Sequence, residues 1–451
     1  MGRPASSSGV FPVLKNLLLR PAVQTAVRNF GWLAAEKTAR LVFGVGVGFW
    51  VARHLGPARL GTLGYCTALV ALLGFVPALG LDAVVKRDLL RMPDKTAELL
   101  ASSFLLRLAA GAVAYAVAGL AMINGWGLKG EEPRLLAILG LQLFQPALLV
   151  PDLWLQAHLR ARLSVTVQLG ALIVCSALRI GLILTDGSLA AFAWIFVIEM
   201  ALTAAGIFEF AHRAGLRAPR AAARIAIMGQ LATEAWPLMF ASLAIIVYMK
   251  IDEVMLRHLA GPAAVGIYAA AARLSEVWYF LPTAMAASLL PALLRARERD
   301  PSEYGARLQQ YFDLSAGAAY ALSIPIALAA PWIVHVAYGE AYAAAGPILA
   351  VHIWSSIFVF LGVARGQWLV NEKLQRFYLV TVLAGAVMNV VLNIFLIPRW
   401  GGLGAAYATV ASYALAAWVA SYLHPAVRTT AAMQSRALLI PFRAWRYLRH
   451  P

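Results

Sequence analysis

Seven basic residues lie inside long apolar stretches of the sequence, where a charge is costly. They are Lys37, Arg40, Arg107, Arg179, Lys250, Arg273 and Arg365. A charged side chain at the bilayer centre costs about 2.5 to 3.5 kcal/mol on insertion scales, and most such residues face a water-filled cavity or a partner charge. Because guanidinium groups bind phosphate oxygens in a bidentate manner, a cavity with more cations than acids favours an anionic substrate. We predict these seven as substrate-binding residues, although an anion channel or an organic-anion exporter would show a similar pattern.

Two of the cations share a helix face with two glycines. Lys37, Arg40, Gly44 and Gly48 follow one another at intervals of three, four and four residues, which places them on one face. Glu36 can neutralise Arg40 four residues on, in which case the glycines serve only packing. Lys37 has no acid three or four residues away, which favours a role in a cavity.

A cluster of charges ends another apolar stretch. Glu253 can pair with Lys250 or with Arg257 on its own helix, whereas Asp252 points to a different side. A self-neutralised pair of this kind can be purely structural. Asp252 is left as a candidate for ion pairing or for coupling to an ion gradient.

The next apolar stretch carries Arg273 and Glu276, three residues apart, and is interrupted later by Pro282 and Pro291. The charged pair is either structural or part of a cavity wall. Prolines within a membrane helix are tolerated where neighbouring groups or cavity water satisfy the freed carbonyl groups, which favours the cavity.

Arg107, Arg179 and Arg365 have no acid three or four residues away and need partners on other helices or in a cavity. Candidate partners are Asp152, Glu199, Glu209 and Glu234. For each acid, helix-to-helix pairing is the expected role, while Asp252, Glu276 and Glu234 are the candidates for coupling to a proton or sodium gradient. Cys66 and Cys175 lie in apolar stretches of opposite halves, so we predict no disulfide, metal site or cofactor.

The elements that position these residues are membrane helices. The 451 residues are 61% hydrophobic and 13% charged, against about 25% charged residues in soluble proteins. About twelve apolar stretches are long enough to cross a bilayer: residues 31–55, 61–83, 98–123, 135–157, 164–184, 189–211, 227–257, 264–294, 309–338, 344–370, 376–398 and 402–424. The sequence therefore predicts an all-α polytopic membrane protein.

The distribution of positive charge predicts the orientation. Of the 38 lysines and arginines, 25 fall at the termini or in alternate loops and six in the remaining loops. Because positive loops are retained in the cytoplasm, both termini are predicted to be cytoplasmic. The net charge of +17 is then a topology signal and an attraction for anionic lipids, not a sign of nucleic-acid binding.

A repeated motif predicts an internal duplication. RHLGPARLG begins at Arg53 and is echoed by RHLAGPAAVG from Arg257, and each copy joins the first two stretches of its half. The turn residues Gly56, Pro57, Gly261 and Pro262 are predicted hinges. We predict a cytoplasmic N-terminal segment (1–30), a six-helix bundle (31–211), a basic cytoplasmic linker (212–226), a second six-helix bundle (227–424) and a basic cytoplasmic tail (425–451).

Motifs spread over nearly the whole chain resemble those of Wzx-type oligosaccharide flippases of the multidrug/oligosaccharidyl-lipid/polysaccharide exporter superfamily. They lie at residues 52–57 (ARHLGP), 80–81, 87, 251–256 (IDEVML), 261–262, 265–273 (VGIYAAAAR), 290–291, 388–398 (MNVVLNIFLIP) and 402–406 (GLGAA). The resemblance implies two six-helix bundles in a V shape around a central cationic cavity. The cavity residues of related lipid flippases map onto Lys37, Arg40, Arg273 and Glu276.

The resemblance also implies a function at the bacterial inner membrane. The expected substrate is an undecaprenyl-pyrophosphate-linked glycan for O-antigen or exopolysaccharide assembly, moved from the inner to the outer leaflet by alternating access. The expected partners are membrane lipids, with a polysaccharide polymerase and a chain-length regulator as candidates.

Three alternatives stay open. They are a drug or organic-ion exporter of the same superfamily, a lipid II flippase and, more remotely, a polysaccharide polymerase or ligase. About twelve spans, where lipid II flippases have fourteen, disfavour the second. An enzyme is disfavoured because the longest predicted outer loop, about residues 124–134, is short and has no histidine.

Overall fold

The computed structural model describes residues 21–124, 127–216, 223–299 and 301–447, with side chains mainly from Gly44 onward. Within these ranges the chain is helical and contains no strand. Helices satisfy every backbone hydrogen bond within one segment, which an apolar chain in lipid requires. The predicted all-α membrane fold is confirmed.

The helices follow the predicted apolar stretches closely. Their bounds are Pro21–Leu73, Phe75–Ala78, Leu81–Arg91, Thr96–Ile123, Glu132–Gly140, Gln145–Leu148, Val150–Ala157, Ala161–Leu184, Leu189–Arg213, Ile225–Leu259, Pro262–Glu276, Phe280–Arg299, Pro301–Tyr338, Ala345–His352, Ser355–Asn371, Gln375–Ala417, Arg428–Leu438 and Ile440–Tyr447. Short 3₁₀ turns lie at Pro93–Lys95, Leu141–Phe144, Val277–Tyr279, Glu340–Tyr342, Val419–Leu423 and Pro425–Val427.

We group these elements into twelve segments and call them spans 1 to 12. In the described part of the chain they cover residues 21–55, 57–91, 96–123, 132–157, 161–184, 189–213, 225–259, 262–299, 301–338, 345–371, 375–400 and 402–423. Each of the predicted apolar stretches overlaps one span.

Eight stretches among the described residues are long and apolar enough to cross a membrane by length and composition. They are Gly46–Arg91, Pro93–Ile123, Glu132–Ala157, Arg162–Leu184, Leu189–Arg213, Glu303–Tyr338, Ala345–Asn371 and Gln375–Leu423. The first contains the end of span 1 and all of span 2, and the last contains spans 11 and 12. Spans 7 and 8, which carry Lys250, Asp252, Arg273 and Glu276, fall outside this set.

The two predicted turns have the same backbone conformation. Gly56 has φ 71° and ψ 170°, and Gly261 has φ 87° and ψ 173°, a region that glycine adopts without steric cost. In each case a proline follows at the first position of the next helix, where its missing N–H costs nothing. We call the end of the molecule that contains Gly56, Pro57, Gly261 and Pro262 the Gly-Pro end.

Spans 2 and 8 touch through their backbones at the Gly-Pro end. A Cβ atom built on Gly61 meets the carbonyl group of Pro262, and one built on Gly266 meets that of Pro57. Since no side chain separates the two helices, only glycine fits at either position. The repeated motif thus places its two copies in direct contact.

Buried apolar residues form three clusters. The largest lies at the Gly-Pro end and contains residues from both halves of the chain, such as Leu60 and Tyr268. At the opposite end one cluster joins spans 2 to 7, and a separate one joins spans 8 to 11 with the C-terminal helices. The molecule therefore has a shared core at one end and two cores at the other, as expected for a V-shaped transporter.

Span 7 is shared between the two sides. Its first turns pack on the first half through Leu231 and Ala235, although the sequence places this span in the second bundle. Arg224 at its start pairs with Glu98 at 2.6 Å. The apolar and ionic contacts together hold this end of span 7 against spans 2 and 3.

The C-terminal segment that the sequence predicts as a tail folds into helices Arg428–Leu438 and Ile440–Tyr447. The first is docked on the second half: Gln434 Nε2 donates to the carbonyl group of Ala417 at 2.9 Å, and Trp418 Nε1 donates to Ser435 Oγ at 2.8 Å. At the other terminus, the described helix Pro21–Leu73 includes part of the predicted N-terminal segment (1–30).

Candidate functional site

Two adjoining cavities meet where span 1 of the first half faces span 8 of the second half. The larger, of about 430 Å³, is walled by spans 1, 2, 4, 5, 6 and 8, and we call it the polar chamber. The smaller, of about 370 Å³, is walled by spans 1, 8 and 9, and we call it the central cavity. Gly44, Gly48 and Arg273 line both. The two glycines that share a predicted helix face with Lys37 and Arg40 thus form part of the cavity wall on span 1.

Arg273 is exposed in these cavities although it lies within span 8. Among the described residues no acid pairs with it and no group accepts a hydrogen bond from it. Glu276 lines the central cavity as well, but the two side chains do not form the ion pair that their spacing allows. Arg273 is therefore a cation available to a ligand.

Lys250 is neutralised within its own helix. Its Nζ lies 2.8 Å from Glu253 Oε1, the local pair that the sequence allows. The side chain is about one third exposed (32%) and also interacts electrostatically with Glu276 and Arg273. Lys250 is not among the residues that line either cavity, and its charge is balanced by Glu253.

The side chains of Lys37 and Arg40 lie outside the described residues. Their backbone is helical and continuous with Gly44 and Gly48, which line the cavities. Their place in the site remains a prediction from the spacing.

Arg179 lines the polar chamber and pairs with Glu199 of span 6 at 2.9 Å. Glu199 is one of the partners that the sequence offered. Arg107 is buried instead, with Asp82 Oδ1 2.6 Å from its Nη2 and the carbonyl oxygen of Pro146 3.0 Å from its Nη1. It does not line either cavity, and Asp82 was not among the candidate acids.

Arg365 is also away from both cavities. It is 2% exposed, and its Nη1 donates to the carbonyl oxygen of Ala416 at 2.9 Å and to Thr381 Oγ1 at 3.3 Å. The guanidinium lies 5.4 Å from the ring centre of Phe377. No acid among the described residues pairs with Arg365, so its charge is stabilised by a carbonyl group, a hydroxyl group and an aromatic ring.

Three of the candidate acids have partners outside the cavities. Glu234 pairs with Arg87. Glu209 pairs with Arg213 at 2.6 Å, and Asp152 accepts a hydrogen bond from Gln156 at 2.8 Å. Only the contact of Glu234 with Arg87 joins two helices, the role that the sequence predicts for such acids. The other two contacts link adjacent turns of one helix.

Asp252 is the centre of a buried polar network between spans 7, 8, 11 and 12. Its carboxylate accepts hydrogen bonds from Tyr268 at 2.5 Å, Thr409 at 2.6 Å and Asn393 at 2.6 Å. Asn393 also donates to Asn389 Oδ1 at 3.1 Å. Asp252 is 2% exposed and forms no ion pair with a described residue.

Sequence reasoning found only part of this network. It singled out Asp252, and it noted the asparagines of span 11 only as a motif. Tyr268 and Thr409 were missed, because only the packing of spans 8 and 12 shows that they meet the carboxylate. The available signal was the polar residues recurring at four-residue spacing in span 11, Asn389 and Asn393.

The described lining of the two cavities holds two arginines and two glutamates, Arg179, Arg273, Glu199 and Glu276. Since Arg179 and Glu199 neutralise each other, Arg273 and Glu276 are the charges without an ion pair among them. The predicted cationic excess therefore depends on Lys37 and Arg40.

The arginines of the repeated motif fasten the halves together at the Gly-Pro end. Arg53 donates to the carbonyl groups of Val336 and Ala337 at the end of span 9. Arg257 pairs with Glu132 at the start of span 4, at 2.5 Å. Each motif thus contributes one arginine that contacts the other half. The repeat contains both arginines, but this role was not predicted from it.

Comparison with known families identifies the chain. A family model described as polysaccharide biosynthesis protein matches residues 26–297, more than half of the sequence. The chain belongs to the polysaccharide biosynthesis protein family. A second family model, MatE, matches residues 237–395. The resemblance to the exporter superfamily predicted from the motifs is confirmed.

This member of the polysaccharide biosynthesis protein family is similar to the probable flippase AglR of Haloferax volcanii. The two are 32% identical over 180 residues, which is 37% of this chain and 36% of the relative. The match thus spans about a third of the length of that relative.

Several solved structures share the fold. A multidrug resistance MATE family transporter in an inward-facing conformation gives a TM-score of 0.69 with 17% identity, covering 88% of this chain and 96% of its own. The lipid II flippase MurJ in an inward closed conformation gives 0.67 with 12% identity, covering 94% and 93%. At these identities the likeness establishes the fold.

Proposed function

We propose that this protein is a flippase that moves a lipid-linked oligosaccharide across the membrane without covalent chemistry. The observation that carries the proposal is Arg273, a cation within a membrane helix that faces a cavity between the halves and has no ion pair among the described residues. A cation without an ion pair in such a place is typical of a substrate pathway. Membership of the polysaccharide biosynthesis protein family and the similarity to a probable flippase support it.

The substrate is an undecaprenyl-pyrophosphate-linked glycan, used for O-antigen or exopolysaccharide assembly. Arg273 binds the pyrophosphate together with Lys37 and Arg40, since guanidinium forks match phosphate oxygens. The prenyl tail stays in lipid while the head group crosses. The protein lies in a bacterial inner membrane with both termini in the cytoplasm, as the positive charges of the loops predict.

In this orientation the Gly-Pro end is the outer face, and it is closed. The reciprocal contact of Gly61 and Gly266 and the contacts of Arg53 and Arg257 hold it shut. The separate cores at the other end correspond to a state open to the cytoplasm, in which the substrate enters. The fold shared with an inward-facing transporter supports this assignment.

Asp252 is the proposed site of coupling to a proton or sodium gradient. A buried carboxylate without a cationic partner is costly, and a bound proton or sodium ion removes that cost. Asn393 Oδ1 beside it is buried without a hydrogen-bond partner among the described residues, so the network has an oxygen left over for an ion. Glu276 in the cavity and Glu234, paired with Arg87, are less suited to hold an ion away from water.

Substitution of the cations tests the proposal. In cells that depend on this protein for surface glycan, the triple variant Lys37→Gln, Arg40→Gln, Arg273→Gln should abolish glycan display while the protein remains in the membrane at normal levels. Arg399→Gln, at an exposed arginine bonded to a backbone carbonyl group, is the matched control. Normal display by the triple variant would refute the anion site.

A drug or organic-ion exporter is the second candidate, favoured by the MatE match and by the MATE-like fold. It predicts that expression raises resistance to toxic cations and that deletion leaves surface glycan intact. The fold shared with MurJ similarly keeps lipid II as an alternative substrate.

A further inference from the structure

Span 4 is broken where it passes the polar chamber. The helix Glu132–Gly140 gives way to a 3₁₀ turn at Leu141–Phe144, and helices Gln145–Leu148 and Val150–Ala157 follow. Pro146 and Pro151 lie at the starts of the last two helices. Irregular backbone at membrane depth is tolerated where it lines a cavity or is buried in protein, and broken helices commonly form the binding sites of transporters.

The break aims two amides into the chamber. Gln142 lies in the 3₁₀ turn, and Gln145, three residues on, is the first residue of the next helix. Both line the polar chamber. Neither side chain forms a hydrogen bond with a described residue, although an amide has two donors and an acceptor to satisfy.

The rest of the chamber wall suits a sugar ring. Thr203 adds a hydroxyl, and the Arg179–Glu199 pair adds charged donors and acceptors. Phe192 and Phe196 provide apolar surface for the C–H face of the ring. The volume of about 430 Å³ lies within the range of about 300 to 1,000 Å³ for small-ligand pockets.

Arg273 connects the chamber to the proposed pyrophosphate site. It lines both the polar chamber and the central cavity, so a phosphate on its guanidinium lies at the boundary of the two. In a lipid-linked glycan the first sugar is bonded directly to the pyrophosphate. A pyrophosphate held there therefore places this sugar at the entrance of the polar chamber.

We propose that the polar chamber is the subsite for the first sugar of the substrate, with Gln142 and Gln145 as the residues that recognise it. This inference rests on the flippase function proposed above. A site built to hydrogen-bond hydroxyl and amide groups rejects a ligand that lacks them, because its own polar groups are then left unpaired. The chamber thus gives the protein a preference for a glycosylated lipid over the bare carrier.

Binding measurements with two defined lipids test the subsite. The purified protein in nanodiscs is titrated with undecaprenyl pyrophosphate and with undecaprenyl-pyrophosphoryl-N-acetylglucosamine, followed by tryptophan fluorescence. The wild type should bind the glycosylated lipid about tenfold more tightly than the bare lipid. The double variant Gln142→Leu, Gln145→Leu should lose this preference and keep its affinity for the bare lipid.

A control variant and two single variants complete the test. Gln310→Leu, at an exposed glutamine of span 9 outside the chamber, should keep the preference. If the double variant unfolds in a thermal-shift assay, the single variants Gln142→Ala and Gln145→Ala replace it, and each should reduce the preference.

The subsite is wrong if the wild type binds both lipids equally or if the glutamine variants retain the preference. Arg273→Gln separates this failure from failure of the function itself, since it should weaken binding of both lipids. Binding of the bare lipid that is insensitive to Arg273→Gln would count against the pyrophosphate site and the flippase.

Discussion

Gly61 and Gly266 face each other so closely that neither position has room for a side chain. A Cβ atom on Gly61 would lie 1.8 Å from the carbonyl oxygen of Pro262, and one on Gly266 would lie 2.0 Å from that of Pro57. The contact is reciprocal, and its two sides come from the two copies of one motif. The closed Gly-Pro end thus depends on the absence of side chains.

Gly61→Ala should open the Gly-Pro end. The added methyl group collides with backbone, which cannot move aside without separating spans 2 and 8, and overpacking of this kind costs about 1 to 3 kcal/mol. The distance between spin labels at Arg59→Cys and Ala263→Cys, with Cys66 and Cys175 replaced by alanine, should lengthen. Gly64→Ala is the control, because its Cβ would meet its nearest neighbour at an ordinary 3.5 Å. An unchanged distance in Gly61→Ala would mean that this contact does not keep the end closed.

Arg257→Ala should also favour the open Gly-Pro end. The substitution leaves Glu132, which is 2% exposed, as a buried acid without its partner, and that penalty falls on the closed state. The same pair of spin labels should report a larger open population. Arg399→Ala, which removes an arginine from the same end without breaking an ion pair, should leave the distribution unchanged. A closed population equal to wild type in Arg257→Ala would contradict the fastening role.

Asp252→Asn should uncouple transport from ion gradients. Asparagine keeps the shape of the side chain but removes the negative charge that a proton or sodium ion would balance. In proteoliposomes, the wild-type rate should respond to either a sodium gradient or a pH gradient, which identifies the ion, and the variant should respond to neither. Asp186→Asn, at an exposed loop carboxylate, serves as control. Gradient dependence that survives in Asp252→Asn would exclude this site.

Arg107→Ala should lower the stability of the protein, whereas Arg273→Ala should lower its transport activity. Arg107 is buried with an ion pair and a carbonyl contact, so its loss should lower the free energy of unfolding by roughly 2 kcal/mol. Arg273 has no such partner among the described residues, and its loss should leave thermal stability near that of wild type while transport falls. Thermal-shift and transport assays on both variants check this. Equal destabilisation by both would show that Arg273 is a structural residue.

The helices could be predicted from the sequence because lipid leaves few choices for the backbone. All of the predicted apolar stretches coincide with spans, and the repeat located both turns, since a glycine with positive φ before a proline has a clear signature. The cavity face of span 1 was also predictable, because Gly44 and Gly48 recur at helical spacing.

The partners of the charged residues were less predictable, because they depend on how spans pack. Spacing along one helix found the pair of Lys250 with Glu253. It also allowed a pair of Arg273 with Glu276 that does not form. The contact of Arg107 with Asp82 joins two different spans, and only packing reveals it.

The docking of the C-terminal helices was missed because a basic segment after the last apolar stretch is usually solvated. Here the small residues Ala431 and Ala437 are buried, and Gln434 reaches a free carbonyl group at the end of span 12. The signal was the spacing of small residues on one face of an otherwise polar helix.

Gly61 and Gly266 contact the carbonyl oxygens of Pro262 and Pro57, which belong to the main chain. A point mutation can therefore abolish this contact but cannot adjust its strength. The stability of the closed Gly-Pro end can therefore be tuned only at other contacts. The contacts of Arg53 and Arg257 at the same end can be weakened or strengthened by substitution, whereas the glycine contact is either present or absent.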